Sequence, residues 1–199
     1  MTLSWYTYMA ARMSLRIVVG PMFAGKTSEI QSVVRRYGCL NKKVLVLTAN
    51  IDTRYSKDAI VNHDQTAIPA CAVDLHQLMD VLTWPAFRDA TAVVVDEAQF
   101  FIGCLIPFVR AAVDTWGKHV VVVGLDSDAE QRPFGDVLSL AAHADSIEKK
   151  TALCRRCNDG TPAIFTKAIG IREGQVAVGG AEKYEPVCRR HFTGLYDMI

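Results

Sequence analysis

Gly20, Gly25, Lys26 and Thr27 stand in "GPMFAGKTSE" (20–29) at the spacing G-x-x-x-x-G-K-[ST], with no substitution. Glycines at those points let the backbone turn tightly and aim its N–H groups at phosphate oxygens. The lysine then reaches the terminal phosphates and the hydroxyl reaches Mg²⁺. The loop Gly20, Pro21, Met22, Phe23, Ala24, Gly25, Lys26, Thr27 therefore has the chemistry of a nucleoside triphosphate site. Asp96 and Glu97 close the apolar run "AVVVDE". In a protein with such a loop, an acidic residue here helps to hold Mg²⁺, and its neighbour can point at the nucleophile. The pair fits an ATPase, in which Glu97 activates water, and a kinase, in which it activates a substrate hydroxyl. A third group lies near the end of the chain: Cys154 and Cys157 are spaced C-x₂-C, and Cys188 and His191 C-x₂-H. Two such pairs supply four ligands for tetrahedral Zn²⁺ with no open position, which is a structural site. Cys39, Cys71 and Cys104 are isolated and read as ordinary thiols.

Elements must place these groups. Continuous apolar runs occur at "RIVVG" (16–20), "KVLVLT" (43–48), "TAVVVDE" (91–97) and "HVVVVGLD" (119–126). Unbroken rather than alternating runs are expected of strands buried on both faces of a parallel sheet. Helical patterns lie between them at 27–37, 74–82 and 106–116, the last with Pro107 in its first turn. The alternation predicts an α/β fold: a RecA-like, mostly parallel sheet with helices on both faces and the site at the carboxyl ends of the strands. Residues 49–67 read as a long polar loop of functional length. Beyond residue 150, glycines and short strand-like pieces surround the metal ligands. The expected division is a tail at 1–14, a nucleotide-binding domain at 15–150 and a small zinc-tied lobe at 151–199.

Composition removes several classes. Of 199 residues, 50% are apolar and 22% charged, which supports a real core. A formal net charge of +1 argues against broad electrostatic binding of nucleic acid. No apolar run approaches the roughly 18–20 residues a membrane helix needs. The opening "MTLSWYTYMAARMS" has neither a basic start nor a long apolar stretch, so a secretory leader is not expected. The six cysteines then read as thiols and metal ligands of a cytoplasmic protein. "DEAQ" (96–99) also matches a helicase motif, but a helicase core needs two lobes and this length accommodates one.

Taken together, the chain resembles the thymidine kinase family of the zinc-containing, tetrameric type. The resemblance spans about residues 15–193. It rests on "GPMFAGKTSE", "DTRYS" (52–56) with "HD" (63–64), "DEAQFF" (96–101), "GLDSDAEQRPFG" (124–135), the two ligand pairs and "GGAEKY" (179–184). It implies transfer of the γ-phosphate of ATP to the 5′-hydroxyl of thymidine, with deoxyuridine a second acceptor, and a homotetramer. Glu97 is implied as the base, and Asp96 and Thr27 as Mg²⁺ partners. Lys26 with the loop amides, Asp52, Arg54 and Gln99 are implied on the nucleotide side. Met22, Phe100, Leu125, Ala129, Phe134, Thr166, Ala177, Gly179 and Tyr184 are implied around the nucleoside, the last three on a glycine-rich lasso that covers the base. Several positions depart from the family's pattern. Ala129 stands where an aromatic usually stacks on the base, and His191 where many members have cysteine. Gln175 and Ala177 replace more apolar lasso residues, and Ala168 follows Lys167 where a second basic residue is common.

Overall fold

The computed structural model describes residues 13–50, 59–61, 67–170 and 182–194. In chain order, β1 (Ser14–Val19) leads through the glycine loop into α1 (Lys26–Gly38), followed by β2 (Val44–Ala49), β3 (Ala59–Val61), β4 (Ala67–Pro69) and β5 (Cys71–Val73). Then come α2 (Pro85–Asp89), β6 (Ala92–Asp96), α3 (Leu105–Arg110), β7 (His119–Gly124) and β8 (Ser146–Lys149). The C-terminal part holds β9 (Ala152–Leu153), β10 (Pro162–Ala163), β11 (Phe165–Ala168), β12 (Tyr184–Val187) and α4 (Arg189–Thr193).

Six strands pair in the order β5-β2-β6-β7-β1-β8, and every pairing is parallel. Successive side chains of a strand point to opposite faces, and here both faces are covered. Leu15, Ile17, Leu45, Leu47, Val93, Val95, Val120 and Val122 pack with Leu78, Val81, Phe87, Leu105 and Phe108. Val18, Val46, Val94, Val121 and Val123 pack on the other side with Ile30 and Val33 of α1. Burial on both faces explains why these strands read as continuous valine and leucine runs.

Two strands were not visible in that pattern. β5 (CAV) is only three residues long and follows Pro69 in a short stretch of small residues, and β8 is an outer strand of sequence SIEK with Ser146, Ile147 and Lys149 exposed, so it carries no apolar run. Other expectations shift. The helix expected at 74–82 is a 3₁₀ helix at Leu78–Thr83. Its buried residues, Leu78 and Val81, are three apart, the spacing that eclipses on a three-residue turn. The helix expected at 106–116 is α3 continued by one π turn at Ala111–Thr115. Within the expected loop 49–67, β3 pairs antiparallel with β4.

A closed ring of four charges joins β1, α1 and β8. Arg16 bonds Glu29 at 2.8 Å and Glu148 at 2.6 Å, while Lys150 bonds Glu29 at 3.2 Å and Glu148 at 2.9 Å. Burial would raise the Glu29 carboxyl, but hydrogen bonds from Arg16 and Lys150 outweigh it and hold it below its ordinary value. The ring ties the first turn of α1, and with it the glycine loop, to the edge of the sheet.

Candidate active site

The sheet order sets β6, β7 and β1 side by side, and the register aligns Val19 with Gly124. The glycine loop, Asp96–Glu97 and the segment after Gly124 therefore leave the sheet at one end, where parallel sheets form their sites.

Two backbone features shape the loop. Gly20 has φ +151°, and a Cβ there would lie 2.4 Å from the Lys150 carbonyl oxygen, so only glycine lets the chain pass. Gly25 (φ +75°) caps the start of α1 in the left-handed conformation. The Lys26 ammonium donates to the Gly20 and Pro21 carbonyls at 3.1 and 2.7 Å. Burial lowers the proton affinity of Lys26, and the carboxylates of Glu97, Asp96 and Asp126 oppose that effect. The Met22 amide donates to Thr166 Oγ1 at 2.9 Å, and Phe23 and Ala24 pack against the cysteine-bearing lobe.

Opposite the loop, burial and the neighbouring Glu97 charge push Asp96 up to about 7. A cation at this point would relieve both penalties, so Asp96, with the Thr27 hydroxyl at the start of α1, suits Mg²⁺. Glu97 has φ +50°, the left-handed region that non-glycine residues rarely occupy. Strain of this kind concentrates at functional sites. Gln99, expected on the nucleotide side, is 0% exposed. Its Nε2 donates to Glu97 Oε2 at 2.6 Å, and its Oε1 accepts from the Leu125 amide at 3.0 Å. Both of these bonds are to groups of the protein itself.

The nucleoside-side residues divide. Phe100 and Phe134 meet edge to face with ring centroids 5.3 Å apart, and Phe134 is buried. Leu125 and Ala129 are half-buried on the segment that follows β7. Asp128 gathers that segment: one oxygen accepts from the Glu130 and Arg132 amides (2.8 and 2.9 Å), and the other from Arg132 Nε at 2.8 Å. Tyr184 is buried opposite Ala168 in the β11–β12 pair. Asp52, Arg54, Gln175, Ala177 and Gly179 lie outside the described residues.

Cys154, Cys157, Cys188 and His191 converge, with all four ligand atoms within 4.8 Å of one another. The Cys157–Cys188 sulfurs are 3.7 Å apart, and His191 Nδ1 lies 3.5, 3.3 and 3.5 Å from the sulfurs of Cys154, Cys157 and Cys188. A tetrahedral zinc with ordinary bond lengths has S–S edges of about 3.8 Å and S–N edges of about 3.5 Å. Burial disfavours the Cys154 thiolate, but backbone donors of Cys188 and Cys157 and side-chain hydrogen bonds from Cys157 and His191 outweigh it and lower the thiol to about 6. Cluster and donor set are compatible with a structural zinc.

The thymidine kinase family model matches residues 13–192, nearly the whole of the described fold. The chain belongs to the thymidine kinase family. A protein named thymidine kinase a from Arabidopsis thaliana is 37% identical over 90% of this chain and 74% of its own length. A thymidine kinase from Bdellovibrio bacteriovorus is 35% identical over 96% and 90%, and the cytosolic thymidine kinase of Homo sapiens 37% identical over 89% and 72%. This member of the family carries two further acidic groups that the motifs did not single out. Asp126 is buried, holds Lys149 at 2.5 Å through Oδ2, and has no hydrogen-bond partner for Oδ1 among the described residues. Asp128 braces the nucleoside-side segment. Both lie in "GLDSDAEQRPFG", where their signal is a pair of aspartates following a buried strand. Among the described residues, no helix is long and apolar enough to cross a membrane.

Proposed function

We propose that this chain transfers the γ-phosphate of ATP to the 5′-hydroxyl of thymidine, with deoxyuridine as a second acceptor. The observation that carries the reading is the position of Glu97. It is held at the end of β6 in a left-handed conformation, acting across the site on Lys26 of the phosphate-binding loop. Loop amides and Lys26 hold the triphosphate, so charge on the transferred group is neutralised while the 5′-oxygen attacks in line. Glu97 accepts the proton of that hydroxyl. Mg²⁺, when bound by Asp96 and Thr27, supplies further charge neutralisation. Asp52 and Arg54 complete the phosphate side. Met22, Phe100, Leu125, Phe134 and Thr166 enclose the nucleoside, and the lasso that includes Ala177, Gly179 and Tyr184 covers the base and keeps water out. Zinc held by Cys154, Cys157, Cys188 and His191 ties down the lobe from which the lasso springs. The tail 1–14, the kinase domain 15–150 and the lobe 151–199 are the units of this reading, and the family resemblance implies assembly as a homotetramer.

Incubation with ATP, with and without thymidine, tests it. Thymidine-dependent formation of thymidine monophosphate and ADP is the expected result. Free phosphate released without thymidine would replace the reading with an ATPase, and no turnover would leave a nucleotide-binding relative.

A further inference from the structure

Gln99 sits beneath the site with both polar atoms of its amide hydrogen-bonded. The Leu125 N–H can only donate, so the Gln99 atom facing it must be the carbonyl oxygen. Nε2 then necessarily faces Glu97 Oε2, at 2.6 Å. Two glycines close the cage around it. A Cβ on Gly124 would lie 2.6 Å from Gln99 Oε1, and one on Gly135 would lie 2.2 Å from the Gln99 backbone oxygen. Gly124 and Gly135 flank the segment that carries Leu125, Ala129 and Phe134, so both ends of that segment rest on Gln99.

We propose that Gln99 is a positioning residue: one buried amide orients the Glu97 carboxylate and anchors the segment walling the nucleoside, so that base and acceptor are set in register. This rests on the reading of Glu97 as the base. Donation to Oε2 fixes the carboxylate rotamer and leaves Oε1 for the substrate hydroxyl. Hydrogen bonds to charged groups are stronger than neutral ones, and small misplacements at a reacting centre lower the rate steeply.

The variants separate the two duties. Gln99→Glu keeps an acceptor for the Leu125 amide but sets an acceptor against Glu97, whereas Gln99→Met loses both bonds. Purified proteins are compared by thermal melting, ATP affinity and steady-state kinetics with thymidine. For Gln99→Glu, kcat should fall about ten- to a hundredfold with the KM for thymidine nearly unchanged. Gln99→Met should lower kcat similarly and raise KM as well. In the Glu97→Gln background, Gln99→Glu should cause no further loss. Gln99→Glu with normal kcat, or losses that multiply in the double variant, would overturn the proposal even if Glu97→Gln is inactive. If Glu97→Gln itself stays active, the base assignment fails, and this inference fails with it.

Discussion

The amide of Met22, in the glycine loop, donates to the hydroxyl of Thr166 in the cysteine-bearing lobe, 2.9 Å away. Thr166 is buried, so this bond joins the nucleotide side of the site to the lobe through a sheltered contact. Thr166→Val keeps the shape and strands the Met22 donor. Leaving a buried donor unsatisfied costs about 1–3 kcal/mol. The melting temperature should fall and ATP should bind more weakly, with Thr166→Ser restoring both. If Thr166→Val matched the wild type in melting and nucleotide binding, the contact would not be holding the loop.

Glu97→Gln preserves size and removes the proton acceptor. General-base contributions are about 10²- to 10⁴-fold, so kcat should drop by that order while ATP binding persists. Nucleotide titration alongside single-turnover kinetics measures the two effects separately.

Elemental analysis of the purified chain should find about one zinc, lost in Cys188→Ser. Because β11 and β12 pair beside the cysteine cluster, loss of the metal should make the lobe sensitive to protease. Thymidine affinity should weaken more than ATP affinity. A zinc-free preparation as protease-resistant and as active as the metal-bound one would contradict this.

His119 offers a pH test remote from the reaction. It stacks on Tyr37 with centroids 5.8 Å apart and shares a 2.5 Å hydrogen bond with Ser14. Burial lowers its pKa below 6.5, Arg16 and Arg36 lower it further, and Asp145 pulls the other way. With the folded value depressed, the unfolded chain takes up the proton first as pH falls. The contribution is therefore complete above about pH 6.5 and is lost as pH drops from there through the folded value. Melting temperatures from about pH 5 to 8 should show this slope, and His119→Asn should flatten it.

Ala129→Phe introduces the aromatic that the family resemblance implies at this position. Stacking of a base on such a ring is worth about 1–3 kcal/mol, or about ten- to a hundredfold in affinity. Here Phe134 already packs edge to face on Phe100, and Asp128 fixes the segment, so the added ring should clash and raise the KM for thymidine. A lower KM with kcat unchanged would mean that one face of the base is uncovered.

How much could be read beforehand depended on whether a feature is local. β1, β2, β6 and β7 were legible because burial on both faces leaves an apolar run in each strand. The convergence of Cys154, Cys157, Cys188 and His191 was legible as two spaced pairs. β5 and β8 were not, since β5 is only three residues long and β8 is an exposed, polar outer strand. The setting of Gln99 is tertiary: only the approach of Gly124 and Gly135 encloses it. Asp126 is similar, since nothing next to it in sequence reveals that Lys26 feels its charge. The family's usual pattern located Ala129 as a departure, while its consequence depends on Phe100 and Phe134 meeting in space.

The charged ring at the sheet edge has a further consequence for solubility. Among the described residues β8 pairs with β1 alone, and a strand edge of this kind is a row of backbone donors and acceptors on which another extended chain could add. Glu148, Lys149 and Lys150 place charge along that border, and Arg16 and Glu29 hold Glu148 and Lys150 in place. A stacking strand would have to desolvate this border or displace its ion pairs. The residues that brace the glycine loop thus also put charge on the edge of the sheet, the device by which natural sheets discourage edge-to-edge pairing.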